Sequence, residues 1–135
     1  MKHAILLSVA SLLMACAAAI HPVPYHAQPE RISDPAAEVR ALILANTVQG
    51  CVTEPELSAE MLTVKFVCSN GVGNAVIRFP RVQSVALDES GGWYRVQVLH
   101  LPGTEPFQWT SKNLDDMTRL ADAITALAQA VKPTT

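Results

Sequence analysis

Apolar residues recur with helical spacing near the end of the chain. From Asn113 onward they lie three and four positions apart, which is typical of one face of an amphipathic α-helix. Asn113 can cap this helix, and Asp115 and Asp116 lie in its first turn, where the helix dipole favours negative charge. Pro133 ends it. The pattern predicts a long helix with the core-facing residues Leu114, Met117, Leu120, Ala121, Ile124, Leu127, Ala128 and Val131.

A shorter helical pattern begins at Asp34 and Pro35. An aspartate followed by proline is a helix-start signal, because the carboxylate caps the free amides and proline fits the first helical position. We expect a helix from about 35 to 47 that packs one apolar stripe on the core, formed by Ala36, Val39, Leu42 and Ile43.

The middle of the chain alternates with a period of two instead. Leu62, Val64, Phe66 and Cys68 are separated by Thr63 and Lys65, which predicts a strand with one row of side chains inward and one outward. Residues 71–74 are predicted to form the next turn, and Glu54, Glu56 and Glu60 a solvated loop. Further strands are predicted over 75–79, 82–87, 93–101 and 106–110, with a hairpin connection at 88–92.

The order helix, antiparallel meander, helix places the chain in the α+β class. Its 135 residues fit one domain over 34–135, preceded by a signal peptide over 1–15 and a segment over 16–33. The prolines of that segment predict an extended, flexible tether.

The first residues have the three parts of an export signal. Lys2 and His3 precede an apolar run over 4–12, and Leu13-Met14-Ala15-Cys16 follows. This segment resembles a bacterial lipobox, which implies a lipid-modified Cys16 as the first mature residue. The alternative is cleavage by the ordinary signal peptidase within 17–19, which would leave a soluble periplasmic or secreted protein.

The resemblance to bacterial lipoproteins also implies a location. Ala17 follows the cysteine where inner-membrane lipoproteins carry aspartate, so the outer membrane, facing the periplasm, is the expected destination. A transmembrane helix is not expected, because the apolar run is short and interrupted by polar residues.

The composition and charge of the chain argue against some classes of function. Hydrophobic residues make up 50% of the chain, charged residues make up 16%, and the formal net charge is −2. The basic residues are scattered singly, which argues against nucleic acid as a partner. In an exported protein, Cys51 and Cys68 are an even pair and are expected to form a disulfide.

A second resemblance covers residues 79–128. The segments FPRVQSV at 79–85, WYRV at 93–96 after a glycine pair, and FQWTS at 107–111, followed by the helix from Asn113, resemble the second half of a bacterial pleckstrin-homology-like or GRAM-like domain. The resemblance implies a curved sheet in a partly open barrel with the last helix plugging one end. It implies no particular ligand, since this fold hosts several functions.

No residue set predicts catalysis. GxSxG is absent, the predicted disulfide uses both cysteines of the domain, and Asp115 and Asp116 are explained by capping. His21 and His26 lie in the predicted tether, which argues against a preorganised metal site. No cofactor, metal or catalytic residue is predicted.

The candidate binding residues are Trp93, Arg78, Arg81 and Arg95. Trp93 lies beside a turn, where an exposed indole can contact a partner, and the arginines can form an anion-binding patch if the strands bring them together. The alternative for the arginines is a solvated strand face. Phe107 and Trp109 are expected to pack under the last helix.

We therefore expect a non-enzymatic, lipid-anchored envelope protein that binds another envelope protein or a small ligand through its sheet or a strand edge. The alternatives are a structural subunit of an envelope complex and, less favoured, a small-ligand hydrolase.

Overall fold

The computed structural model describes residues 19–102 and 105–132 as an α+β fold with two α-helices and two antiparallel sheets. Short 3₁₀ turns lie at Pro29–Arg31 and Phe79–Arg81. The helices are α1 (Pro35–Ala45) and α2 (Leu114–Val131), and the strands are β1 (His21–Pro22), β2 (Cys51–Leu57), β3 (Met61–Cys68), β4 (Gly71–Arg78), β5 (Val82–Ser90), β6 (Trp93–His100) and β7 (Phe107–Ser111).

The strands divide into two sheets that share no strand. One sheet has the order β2-β3-β4, and the other has the order β1-β5-β6-β7. Consecutive strands pair in register through tight turns: Cys68 lies opposite Gly71, and Ser90 lies opposite Trp93. The predicted meander is therefore present as two separate hairpin-connected sheets that do not close on each other.

The long helix α2 covers the inner face of the larger sheet. It begins as predicted, with the Asn113 side chain accepting a hydrogen bond from the Asp116 amide at 3.1 Å. Most of the predicted apolar stripe is buried against β5, β6 and α1. The deepest residues are Met117, Leu120, Ala121 and Ile124, all at 0% exposure.

The helix predicted from Pro35 is present as α1. Asp34 caps it by accepting from the Ala37 amide at 3.2 Å, and Val39, Leu42 and Ile43 are its buried residues. Asn46, directly after α1, donates to Asp116 of α2 at 2.9 Å. This bond fixes the end of one helix on the start of the other.

Two predictions in the middle of the chain were wrong. Residues 71–74 belong to β4, and the turn lies one step earlier, at Ser69 and Asn70. Glu54 and Glu56 lie on β2, not in a loop. Both acidic side chains point outward from this strand, and Glu56 pairs with Lys65 at 3.0 Å. The two glutamates suggested a solvated loop, and the alternation of exposed and buried residues in β2 was therefore missed.

Residues 21–32 pack along the domain instead of extending from it as the predicted tether would. β1 pairs with β5, and the Val23 amide donates to the Leu87 carbonyl at 2.9 Å. Further along, buried Asp122 of α2 accepts from the Tyr25 hydroxyl at 2.7 Å and from the Gln28 amide at 2.9 Å. Burial and the bond to Asp122 raise the pKa of Tyr25, which keeps the hydroxyl protonated as a donor.

The predicted disulfide is confirmed between Cys51 and Cys68. The two residues face each other across β2 and β3 with their Cα atoms 4.1 Å apart. The predicted signal peptide and lipid-bearing Cys16 lie outside the described residues. Within the described part of the chain, neither helix is long and apolar enough to cross a membrane.

Removing the disulfide tests how much the sheet β2-β3-β4 depends on it. The bond closes a segment with a sequence separation of 17 residues, and a loop of this size stabilises the folded state by about 3 kcal/mol in the chain-entropy model. We expect Cys51→Ser/Cys68→Ser to lower the free energy of unfolding by about that amount in urea titrations. Unchanged stability would show that the bond contributes nothing.

Candidate functional site

A concavity of two adjoining parts lies between β4 and β7. One part has a volume of about 390 Å³ and is lined by Phe66, Asn74 and Trp109, with the disulfide at its end. The adjoining part, of about 620 Å³, is lined by Arg78, Glu105 and neighbouring residues of both strands. Both parts share Asn74, Ala75 and Gln108. We call this continuous furrow the β4–β7 cleft.

The two strands that border the cleft are both sheet edges. β4 is the last strand of one sheet and β7 the last strand of the other, and the described residues contain no backbone hydrogen bond between them. The end of β4 near Asn74 lies beside Thr110, and the end at Arg78 lies beside Glu105. The facing edges therefore run antiparallel.

The register shows which amides of β4 face the cleft. In an antiparallel pair, successive residues direct their N–H and C=O groups alternately toward and away from the neighbouring strand. The Arg78 amide points away from β3, because it donates to the ring of His100 in the other sheet at 3.3 Å. By alternation, the backbone groups of Asn74 and Val76 also face the cleft.

The same reasoning applies to β7. The turn at Gly91 and Gly92 makes Ser90 and Trp93 a hydrogen-bonded pair, since a two-residue turn is closed in this way. Counting along β6, Val96 directs its backbone groups to Trp109 of β7. The N–H and C=O groups of Gln108 and Thr110 consequently face the cleft, opposite those of β4.

Aromatic side chains line the cleft from both sheets. Phe66 lies over Gly73, where an added Cβ would stand 2.5 Å from the ring, so only glycine leaves room for this ring position. On the other side, Trp109 stacks on Phe107 with ring centroids 6.2 Å apart. The expectation that Phe107 and Trp109 share one buried face is confirmed, as both are at most 8% exposed.

Trp109 also carries an unsatisfied donor. Its indole nitrogen is buried and has no hydrogen-bond partner in the described structure. A buried donor without an acceptor costs on the order of 1–3 kcal/mol.

His100 holds the two sheets together at the far end of the cleft. Its Nε2 accepts from the Arg78 amide of β4, and its Nδ1 donates to the Glu105 carbonyl just before β7, at 3.1 Å. Burial and the charge of Arg78 lower the pKa of His100, against the opposing effect of the Glu105 bond. Both ring nitrogens of His100 therefore have hydrogen-bond partners, one from each sheet edge.

The structure separates the three candidate arginines. Arg78 and Arg81 line one shallow cavity of about 300 Å³ together with Glu60. Arg95 lies on the other sheet and forms an ion pair with Asp88, with Nη2 2.7 Å from Oδ2 and Nε 2.9 Å from Oδ1. The bond to Asp88 raises the pKa of Arg95. The three side chains do not form one anion-binding patch.

Trp93 is exposed beside a turn, as expected. Its side chain is 49% exposed, and the Lys112 amine lies 5.0 Å from the ring centroid, a cation–π geometry. Trp93 borders a second groove, which shares Val48 and Thr110 with the disulfide end of the β4–β7 cleft.

The acidic residues of α2 have structural partners. Asp116 accepts from Asn46, and Asp122 accepts from Tyr25 and Gln28. Among the described residues, no three histidine, cysteine or acidic side chains are grouped closely enough to hold a metal ion. That search included His21 and His26.

The fold and the cleft define an α+β domain with two facing, unpaired strand edges. No protein-family model, no curated protein and no solved structure matches the chain. The resemblances to lipoproteins and to pleckstrin-homology-like domains therefore stay predictions from the sequence.

Because His100 connects the two sheets, the free energy of unfolding should depend on pH. A lowered folded-state pKa favours the neutral ring, so the stabilisation is complete above pH 6.5 and is lost as the pH falls below that value. We expect the free energy of unfolding to fall less between pH 7 and pH 5 in His100→Gln than in the wild type. His26→Gln, at an exposed position outside this link, is the matched substitution control. Equal slopes in all three proteins would contradict the assigned role of His100.

Proposed function

We propose that the protein is an exported lipoprotein that binds an extended segment of another envelope protein in the β4–β7 cleft, without catalysing a reaction. The export signal over 1–15, with Cys16 as the lipid-bearing residue, supports the anchoring. The expected location is the periplasmic side of the outer membrane, and the alternative remains a soluble periplasmic or secreted protein.

The pair of facing edges carries this proposal. Backbone N–H and C=O groups of Asn74, Val76, Gln108 and Thr110 point into one furrow, and an extended polypeptide supplies complementary groups at the same spacing. Some Cα atoms of β4 and β7 lie within 8 Å of each other, closer than the roughly 9.6 Å that separates two strands flanking a third, so the bound segment pairs with one edge at a time.

The shape and lining of the cleft favour a polypeptide over a compact small molecule. The furrow continues along both strands, from the disulfide to Glu105. Phe66 and Trp109 offer apolar contact for side chains on the inner face of the segment.

The pleckstrin-homology-like relationship belongs to the same proposal. Two antiparallel sheets with facing edges, followed by a helix that covers the inner face of one sheet, support it as a partly open barrel. In that case the β4–β7 cleft is the opening of the barrel.

Photo-crosslinking in the producing bacterium tests the proposed binding. A benzoylphenylalanine in place of Gln108 should give a discrete crosslinked species whose mass identifies the partner. The control position is Gln83, an exposed glutamine on β5 away from the cleft. Identical products from both positions would contradict binding in the cleft.

The backbone contribution can be separated from the side-chain contribution at Thr110. Thr110→Pro removes an amide that faces the cleft and that the fold does not use, whereas Thr110→Ala keeps the amide. We expect the proline variant to lose the Gln108 crosslink and the alanine variant to keep it. Loss in both variants would point to the hydroxyl, and loss in neither would exclude pairing along β7.

A further inference from the structure

One row of side chains crosses the end of the larger sheet and consists of Ile20, Ser90, Trp93 and Lys112. Pro22 pairs with Asp88 and His21 with Glu89, so Ile20 comes next to Ser90. Ser90 pairs with Trp93. Tyr94 pairs with Ser111, which places Lys112 beside Trp93, in agreement with the 5.0 Å distance between its amine and the ring centroid.

Apolar residues continue from this row around the same end of the domain. Trp93, Lys112 and Val48 line a groove of about 380 Å³. The Val48 carbonyl accepts from the Cys51 amide at 3.0 Å, and the residue after Cys51 begins a second cross-strand row, Val52, Val67 and Val72. We call the anchor-side face the exposed apolar residues at this end of the domain, which are Ile20, Val48 and Trp93 together with Val52, Val67 and Val72 on the outer face of β2-β3-β4; all are between 49% and 79% exposed.

The charged groups beside Trp93 have partners, whereas Glu54 follows Val52 on the same exposed row of β2. Asp88 and Arg95 neutralise each other in an ion pair, and Glu89 accepts from the Gly92 amide in the turn at 3.0 Å. Lys112 is held over the Trp93 ring. Contact with this face would therefore be driven by apolar and indole groups, which favour the boundary between lipid headgroups and acyl chains.

The short segment between Cys16 and Ile20 indicates that the anchor-side face contacts the membrane. Cys16 is four residues before Ile20, and four residues span at most about 14 Å when fully extended. Since β1 fixes the chain directly after Ile20 on the sheet, a lipid on Cys16 would hold this end of the domain close to the bilayer. A second copy of the chain would not need this short connection.

We propose that the anchor-side face docks on the surface of the bilayer that holds the Cys16 lipid, with Trp93 and Ile20 at the interface. This inference rests on the proposed lipid anchor. In this arrangement the exposed apolar end of the domain contacts lipid. The disulfide end of the β4–β7 cleft, which also includes Val48, then lies beside the membrane.

Tryptophan quenching by brominated lipid tests the docking. The mature lipidated protein is reconstituted in vesicles of phosphatidylcholine, with or without bromine on the acyl chains near the headgroup. The chain has two tryptophans, and Trp109 is buried in the core at 8% exposure. We expect bromine to reduce the emission of the wild type and to leave that of Trp93→Phe, which reports Trp109 alone, nearly unchanged.

A matched variant reports the opposite end of the same strand. Trp93→Phe/Leu99→Trp places an indole at an exposed position of β6 away from the turn, and we expect bromine not to quench it. Equal fractional quenching of Trp93 and of this indole, or no quenching of either, would overturn the docking. A crosslinked homodimer that shields Trp93 from the bromine would assign the face to a second copy and would also overturn it.

Two further readouts separate this inference from the anchor. Intact mass shows whether Cys16 carries acyl chains, and flotation shows whether the protein stays with the vesicles. A protein that is acylated and floats while Trp93 is unquenched overturns the docking alone. A protein without acyl chains that does not float overturns the anchor and the docking together.

Discussion

The backbone groups on the facing edges of β4 and β7 have no partner from the opposite strand, and the site depends on keeping these edges apart. The disulfide braces the sheet that contains β4, while α2 covers the sheet that contains β7. Phe66 and Trp109 line the gap between them, and His100 links its far end. Unpaired edges are normally protected in a stable protein, so an unpaired edge beside an apolar cleft is a place where an extended segment can pair.

The segment before α1 changes the expected relation between anchor and domain. A free tether of this length would give the domain a wide reach, but Asp122 and β5 bind residues 21–32 to the body. If Cys16 carries lipid, only a short connection remains between the lipid and the domain. Such a connection orients the domain on the membrane and does not let it move far from it. The apolar end and the open end of the cleft would then both lie near the bilayer, where segments of other anchored proteins are concentrated.

The sequence predicted the elements whose signals are local. Asn113 and the apolar stripe behind it defined α2, Asp34 and Pro35 defined the start of α1, and the period of two defined β3. Sequence reasoning failed where a contact between distant residues decided the structure. The glycines suggested a turn at 71–74, although Gly73 lies in β4 beneath the ring of Phe66. The charges of Glu54 and Glu56 likewise concealed β2. The edge amides of Asn74 and Thr110 have no sequence signal, because their status depends on which strand lies next to them.

Amide hydrogen exchange measured residue by residue by NMR tests the open cleft most directly. In the free protein, the amides of Asn74, Val76, Gln108 and Thr110 should exchange quickly, while those of Ala75 and Trp109, which bond within their own sheets, should be protected. Slow exchange at both sets in the free protein would mean that β4 and β7 pair with each other, and the cleft would have no edge to offer a partner.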